Sequence, residues 1–181
     1  MRVRWDALFD DLAAQLVAAQ SEDRVAAVAD LTRAEHATIT LVERLRGSAG
    51  PVTLELLDGS AVAGELRDAA EEWVLIDEQR RQHLVPTSAI TAVAGLDRHA
   101  QPAPSARSAR LGLGHALRAL MRDRRPVQVR TPSGAVAGWV ARVGKDHLDV
   151  EVVPGAAHGA RVVPWSAVLC VSESRTGYVE R

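Results

Sequence analysis

Six arginines between residues 107 and 125 point to one kind of chemistry, the binding of phosphate groups. They are Arg107, Arg110, Arg118, Arg122, Arg124 and Arg125. Several guanidinium groups on one surface hold a phosphate backbone, with an affinity that falls as the salt concentration rises. Trp165 is the aromatic residue that could add stacking on a base. This set is a candidate contact surface for RNA or DNA.

The same arginines could instead neutralise an acidic part of the chain. Residues 97–125 carry seven arginines against two aspartates, a net charge of +5, within a chain whose total charge is −1. Residues 47–96 carry eight carboxylates against three arginines, a net charge of −5. Attraction between these two segments is the simpler interpretation, and both interpretations stay open at this point.

The histidines are not spaced as metal ligands. His83, His147 and His158 form no His-x-x-x-His pattern, and they have no cysteine partner or acidic pair at a matching spacing. We therefore expect no metal site and no cofactor.

Serine and cysteine do not indicate a catalytic nucleophile either. Ser88 and Ser166 lack the Gly-x-Ser-x-Gly surroundings of a hydrolase serine. The single cysteine, Cys170, lies in the apolar run Val168–Val171, which predicts a buried, unreactive thiol. Because no nucleophile, base and orienting group can be assembled from the sequence, we expect no catalytic residues and no enzyme activity.

A repeat in the sequence indicates the elements that would carry these residues. Residues 51–59 are echoed by 126–134, and residues 84–90 by 162–168. Apolar residues alternate in both copies, as at Val52, Leu54 and Leu56, which is the period of a β-strand. A repeat of about 47 residues with this pattern predicts an internal duplication of a small β unit.

The N-terminal 46 residues have a helical period instead. Trp5, Leu8, Phe9, Leu12 and Leu16 are spaced by three or four residues and would share one helix face. Residues 1–46 form either one long helix or a helical hairpin. An apolar stripe of this kind needs a partner, which is either the chain's own β unit or a second protomer, and we predict that these five residues contact a second protomer.

These patterns divide the chain into five parts. They are an N-terminal helical segment (1–46), a first β unit (47–96), a linker with a basic helix (97–125), a second β unit (126–172) and a loose tail (173–181). The linker is marked by Pro, Ala, Ser and Arg without an apolar period, and the helix by the stripe from Leu111 to Met121.

The order of motifs in the first β unit resembles the Sm-like (Hfq-like) fold. The residues that carry the likeness are Val52-x-Leu54-x-Leu56-x-Asp58-Gly59, Gly64-x-Leu66, Trp73–Ile76 and Ala89-Ile90-x-x-Val93. The layout is also similar to that of a group of actinobacterial proteins. The resemblance implies a helix followed by a bent five-stranded barrel. Where such RNA binders carry a Tyr-Lys-His cluster, this chain has Val85–Ser88 and Val163–Ser166.

The sequence thus predicts an α+β protein with two tandem five-stranded Sm-like barrels, each preceded by a helix. The first functional hypothesis is a non-catalytic interaction or scaffold protein that self-associates. The alternative is a nucleic-acid-binding regulator that uses the arginines of 107–125. No apolar run approaches the roughly 20 residues needed to span a bilayer, so we expect a cytoplasmic protein without a membrane partner.

Overall fold

The fold is given by a computed structural model that describes residues 37–105, 111–152 and 159–174. The predicted protomer contacts Trp5, Leu8, Phe9, Leu12 and Leu16 therefore lie outside the described residues, as do Arg107 and Arg110. The first segment begins with helix α1, Leu41–Gly47. Five strands follow: β1 Val52–Leu56, β2 Ala61–Ala70, β3 Trp73–Glu78, β4 Arg81–Pro86 and β5 Ile90–Ala94.

The second segment starts with helix α2, Leu113–Asp123, and continues with five more strands. They are β6 Val127–Thr131, β7 Gly134–Val143, β8 His147–Val152, β9 Arg161–Pro164 and β10 Cys170–Glu173. A single 3₁₀ turn separates β4 from β5 at Thr87–Ala89, and another separates β9 from β10 at Trp165–Ala167. The strand predicted at 52–56 is confirmed as β1, where every second residue is buried. The motif Trp73–Ile76 lies in β3, where three of its four residues are buried.

The prediction of two tandem five-stranded barrels, each with its own helix, is wrong. The ten strands form one open antiparallel sheet in the order β5-β1-β2-β3-β4-β10-β6-β7-β8-β9, accompanied by α1 and α2. In the first segment, β5 and β4 are the outer strands, so a barrel would close only if they paired. β4 pairs instead with β10, where Leu84 is opposite Val171 and His83 is opposite Ser172. The sheet of one segment therefore continues into that of the other.

The internal duplication into two self-contained units is likewise not supported, because the two apolar cores exchange residues. Leu169 and Cys170 pack in the core that is formed mainly by the first segment. Trp73 and Leu84 pack in the core that is formed mainly by the second segment. Neither core is complete without the other segment, and the described part of Leu41–Arg181 forms one compact unit.

Helix α2 is anchored to the first segment at its N-terminal end. The backbone N–H of Leu113 donates to the Glu72 carboxylate (2.7 Å), which also places a negative charge at the positive end of the helix dipole. The Trp73 indole N–H donates to the Leu111 carbonyl oxygen (2.7 Å). Leu113 and Leu117 bury their side chains in the core that is formed mainly by the second segment. None of the described helices is both long and apolar enough to cross a membrane.

Candidate functional site

The described arginines of the predicted phosphate surface lie on or just after α2. Arg118, Arg122 and Arg124 are exposed. Arg125 forms ion pairs with Asp123 and Glu173, both at 3.2 Å. The acidic first segment meets this helix through Glu72 at its N-terminal end rather than through the arginines at its C-terminal end. Among the described residues, the arginines at the C-terminal end of α2 are therefore not the groups that connect the basic segment to the acidic one.

Trp165, the predicted stacking residue, is a packing residue in the structure. Its ring lies so close to Gly114 of α2 that a Cβ atom at that glycine would come within 2.6 Å of the ring. The side chain packs against the core of the second segment, and its indole nitrogen is buried without a hydrogen-bond partner among the described residues. The part of the ring that faces Gly114 is therefore covered by α2 and not open to a base.

Trp139, which we did not predict as a site residue, lines an open cleft beside α2. The cleft has a volume of about 720 Å³, and its lining residues are Met121, Arg122, Arg124, Trp139, Val140, Ala141 and Glu151. Trp73 and Trp165 pack against a core, whereas Trp139 belongs to neither core. The structure thus brings two of the predicted arginines together with a different tryptophan from the one expected.

A second polar cluster lies where β4 meets β10, and we call this junction the seam. It comprises Arg81, His83, Gln128, Cys170 and Ser172. The Arg81 guanidinium donates to the Glu173 carbonyl oxygen (3.1 Å), to Gln128 Oε1 (3.2 Å) and to Ser172 Oγ (2.9 Å). These three bonds hold the edge of one segment to two strands of the other.

The seam also contains a cysteine, a histidine and a glutamate in contact. Cys170 Sγ lies 3.6 Å from His83 Nδ1, and His83 Nε2 lies 3.0 Å from Glu78 Oε2. Burial raises the pKa of the Cys170 thiol to about 11, so the thiol is protonated at neutral pH and donates to the imidazole. The imidazole then donates its Nε2 hydrogen to Glu78.

This arrangement has the order of a nucleophile, a base and an orienting carboxylate, which the sequence analysis did not assemble. Cys170 and His83 are nevertheless only 2% and 5% exposed. The predicted burial of the cysteine is confirmed, and a protonated thiol without access to solvent is not positioned to attack a substrate. Because His83 and Cys170 are 87 residues apart, only the pairing of β4 with β10 could have revealed the contact.

His83 makes the stability of the fold sensitive to acid. Its burial, chiefly, and then the charges of Arg81 and Arg130, lower its pKa below the ordinary 6.5, although Glu78 acts in the opposite direction. As the pH falls below about 6.5, the unfolded chain binds a proton that the folded chain does not, so we expect the free energy of unfolding to decrease. Above that pH the imidazole is neutral in both states, and its effect vanishes.

Urea unfolding at about pH 7.5 and about pH 5.5 measures this loss. The variant H83Q should lose less stability between the two pH values than the wild type. The matched control is H115Q, because His115 is exposed on α2, and this variant should lose as much as the wild type. Equal acid sensitivity of H83Q and the wild type would contradict the assignment.

Metal binding has no support in the described parts of the chain, where no group of three His, Cys, Asp or Glu side chains is arranged to hold an ion. No protein-family model matches the chain, and no curated protein matches it either. The resemblance to Sm-like proteins stays a prediction, and the function has to be argued from the chain's own residues.

Proposed function

We propose that this protein is a non-catalytic interaction protein of the cytoplasm that joins copies of itself edge to edge. The observation that carries the proposal is the open sheet. Strands β5 and β9 are its two outer strands, and within the described residues no strand pairs with their outer sides. Unpaired backbone groups along such edges are available to a strand from another chain.

The pairing of β4 with β10 supplies a template for this contact. β4 and β9 both end in a proline that precedes a 3₁₀ turn, at Pro86 and Pro164. β5 and β10 both follow such a turn, and they pair antiparallel with β1 and β6 respectively. We apply this pairing to two copies, with β9 of one copy beside β5 of the next. Val162 on β9 then corresponds to Leu84 on β4, and Val93 on β5 corresponds to Val171 on β10. Val162 would therefore lie opposite Val93, as Leu84 lies opposite Val171 at the seam.

Exposure of apolar surface supports this arrangement. Leu84 is 4% exposed at the seam, whereas Val162 on the open edge is 62% exposed. Val162 is one of three large apolar residues that the described structure leaves exposed. Burying a valine side chain contributes about 1.5–3 kcal/mol, so pairing this edge removes a cost that the isolated chain carries.

Charge complementarity supports the same register. At the seam, Arg130 is close enough to His83 for its charge to lower the pKa of that imidazole, after the larger effect of burial. The corresponding positions on the open edges are occupied by Glu55 on β1 and Arg161 on β9, and both are exposed. In the proposed contact, β5 lies between the carboxylate and the guanidinium, as β10 lies between His83 and Arg130 at the seam. Opposite charges at such positions attract each other across one strand and favour this register.

Because the two edges differ, the contact is head-to-tail, and repetition gives a closed ring or an open filament. The predicted N-terminal stripe, Trp5 to Leu16, remains a second proposed association surface. The edge proposal needs its own test, because both surfaces would produce oligomers.

Reversal of one charge is expected to weaken self-association, and reversal of both is expected to restore it. The wild type should have a mass in solution that is a multiple of 19.4 kDa. E55R and R161E should each raise the dissociation constant about threefold or more, since like charges then repel each other across β5. The double variant E55R/R161E should return close to the wild type. Light scattering and sedimentation at several protein concentrations measure these masses.

The control for charge alone is E65R, because Glu65 is exposed on β2 away from both edges. This variant should assemble like the wild type. A wild type that is monomeric at all concentrations would overturn the proposed function. An assembled wild type whose double variant is no better than the single variants would assign the assembly to another surface.

A further inference from the structure

The cleft beside α2 brings together side chains that suit a nucleotide. We propose that it binds one nucleotide unit of a single-stranded nucleic acid, with the base against Trp139 and the phosphate at Arg122 and Arg124. This inference does not depend on the edge pairing, since the cleft is lined by α2, β7 and β8 and the open edges are β5 and β9.

The phosphate part rests on two arginines without a competing partner. Arg122 and Arg124 are exposed and line the cleft, and neither forms an ion pair with another described residue, in contrast to Arg125. Arg124 also ends α2 in the left-handed conformation, with φ 51° and ψ 26°. A residue other than glycine pays about 1–3 kcal/mol to adopt such a conformation, and residues of this kind cluster at functional sites.

The base part rests on Trp139. The chain contains six aromatic residues, and a tryptophan is normally the largest apolar filler that a core can use. Trp139 nonetheless lies outside both cores and is only partly buried. An indole at the side of a basic cleft is the platform on which single-stranded binders stack bases, whereas a base inside a duplex is already stacked.

The remaining polar residue of the cleft adds a reason to expect a base there rather than an anion alone. Glu151 is the cross-strand partner of Trp139 in the pairing of β7 with β8. A carboxylate repels a free phosphate, but it accepts hydrogen bonds from the amino group of a base such as cytosine. The volume of about 720 Å³ lies in the range of small-ligand clefts, about 300–1,000 Å³, which is large for an inorganic phosphate.

The test is fluorescence anisotropy with labelled oligo(U) and oligo(dC) strands of about fifteen nucleotides, at about 50 mM salt. The wild type should bind a single strand and bind the matching duplex more weakly. With two phosphate contacts, the logarithm of the affinity should fall with the logarithm of the salt concentration with a slope of about −1.4. W139L should weaken binding about 5- to 150-fold, and W139F should recover most of the loss.

Two charge-matched variants separate the cleft from a general effect of charge. R122E/R124E should abolish binding, and R67E/R98E, at two exposed arginines elsewhere, should bind within about twofold of the wild type. Competition with free mononucleotides identifies the source of the ligand. If a free mononucleotide binds to the wild type and this binding is lost in W139L, then the cleft is confirmed as a site and its ligand is a free nucleotide.

Three results for the wild type and W139L would overturn the proposal, and a fourth concerns the charge variants. They are absence of both strand and mononucleotide binding at low salt, equal or tighter binding of duplex, and unchanged binding by W139L. Equal loss in R67E/R98E and R122E/R124E would also overturn it, since the effect would then be one of net charge. Circular dichroism of each variant confirms that the fold is retained.

Discussion

Replacing Gly138 by alanine is expected to lower the free energy of unfolding by about 3 kcal/mol or more. Gly138 lies in β7, and a Cβ atom built there would fall well inside van der Waals contact of the Glu151 carbonyl oxygen on β8. A flexible side chain could rotate away from such a clash, but a backbone carbonyl of a paired strand cannot. The strands would have to separate next to the bulge between Val140 and Arg142, where the register already shifts.

The matched control for G138A is G50A. A Cβ atom at Gly50 would meet nothing within 4 Å, and Gly50 is not among the glycines with positive φ. We expect G50A to leave stability unchanged or to raise it by less than about 1 kcal/mol, since alanine lowers the entropy of the unfolded chain. Thermal unfolding should show a decrease of about 10 °C for G138A only. A similar melting temperature for G138A and the wild type would contradict the close approach of β7 and β8.

A second glycine that lies close to a neighbouring strand, Gly64, shows which feature of the fold can be predicted from the sequence. Gly64 interrupts a run of strand residues, and a glycine inside a strand predicts a sharp bend or a bulge. A Cβ atom at Gly64 would clash with the carbonyl oxygen of Asp77 on β3, and the register shifts shortly afterwards, between Leu66 and Asp68. The prediction of a local irregularity is confirmed, because it depends on the backbone near one residue.

The arrangement of the strands in space was not predictable in the same way. Alternation in Val52, Leu54 and Leu56 says that one face of a strand is buried, but it does not say which strand lies beside it. The same ten strands are compatible with two closed barrels or with one open sheet. The choice depends on whether β4 pairs with β5 or with β10. The two pairings differ in the entropy of loop closure and in the contacts between strand edges, and neither quantity can be read from the residues of a single strand.

The candidate site illustrates the same limit. Arg122 and Arg124 were predicted because a charge cluster is visible in the sequence. Trp165 is predicted as the stacking residue because it lies in Val163–Ser166, the segment that matches the Tyr-Lys-His cluster of the RNA binders that the chain resembles. The structure packs Trp165 onto Gly114 and leaves Trp139 at the cleft. Both indoles are partly buried, and what distinguishes them is that Trp165 packs against a core and Trp139 does not. Such packing is a property of the tertiary fold.

Truncation of Arg81 is expected to weaken the seam and thereby the whole fold. The seam has only two paired positions between β4 and β10, so the three hydrogen bonds of Arg81 provide a large part of its specific contacts. Hydrogen bonds from a charged group contribute about 1.5–3 kcal/mol each. Because Arg81 is only partly buried, we expect R81A to lower the free energy of unfolding by about 3 kcal/mol.

The matched control is R80A, at the adjacent position. Arg80 is exposed, and among the described residues its guanidinium has no partner, whereas its backbone N–H donates to the Asp77 carboxylate. Its stability should change by about 0.5 kcal/mol or less. R81K should fall between R81A and the wild type, because an ammonium group cannot form the forked contacts of a guanidinium. A loss in R81A no larger than that in R80A would contradict this role of Arg81.

The way in which R81A unfolds tests the architecture itself. If the two segments share their cores across the seam, then the wild type unfolds in one transition, and loosening the seam lowers the urea m-value or splits the transition in two. Hydrogen exchange should increase first at the amides of Leu84 and Val171, which face each other across the seam. A single transition with an unchanged m-value and slow exchange at these amides would show that the open sheet is held together elsewhere.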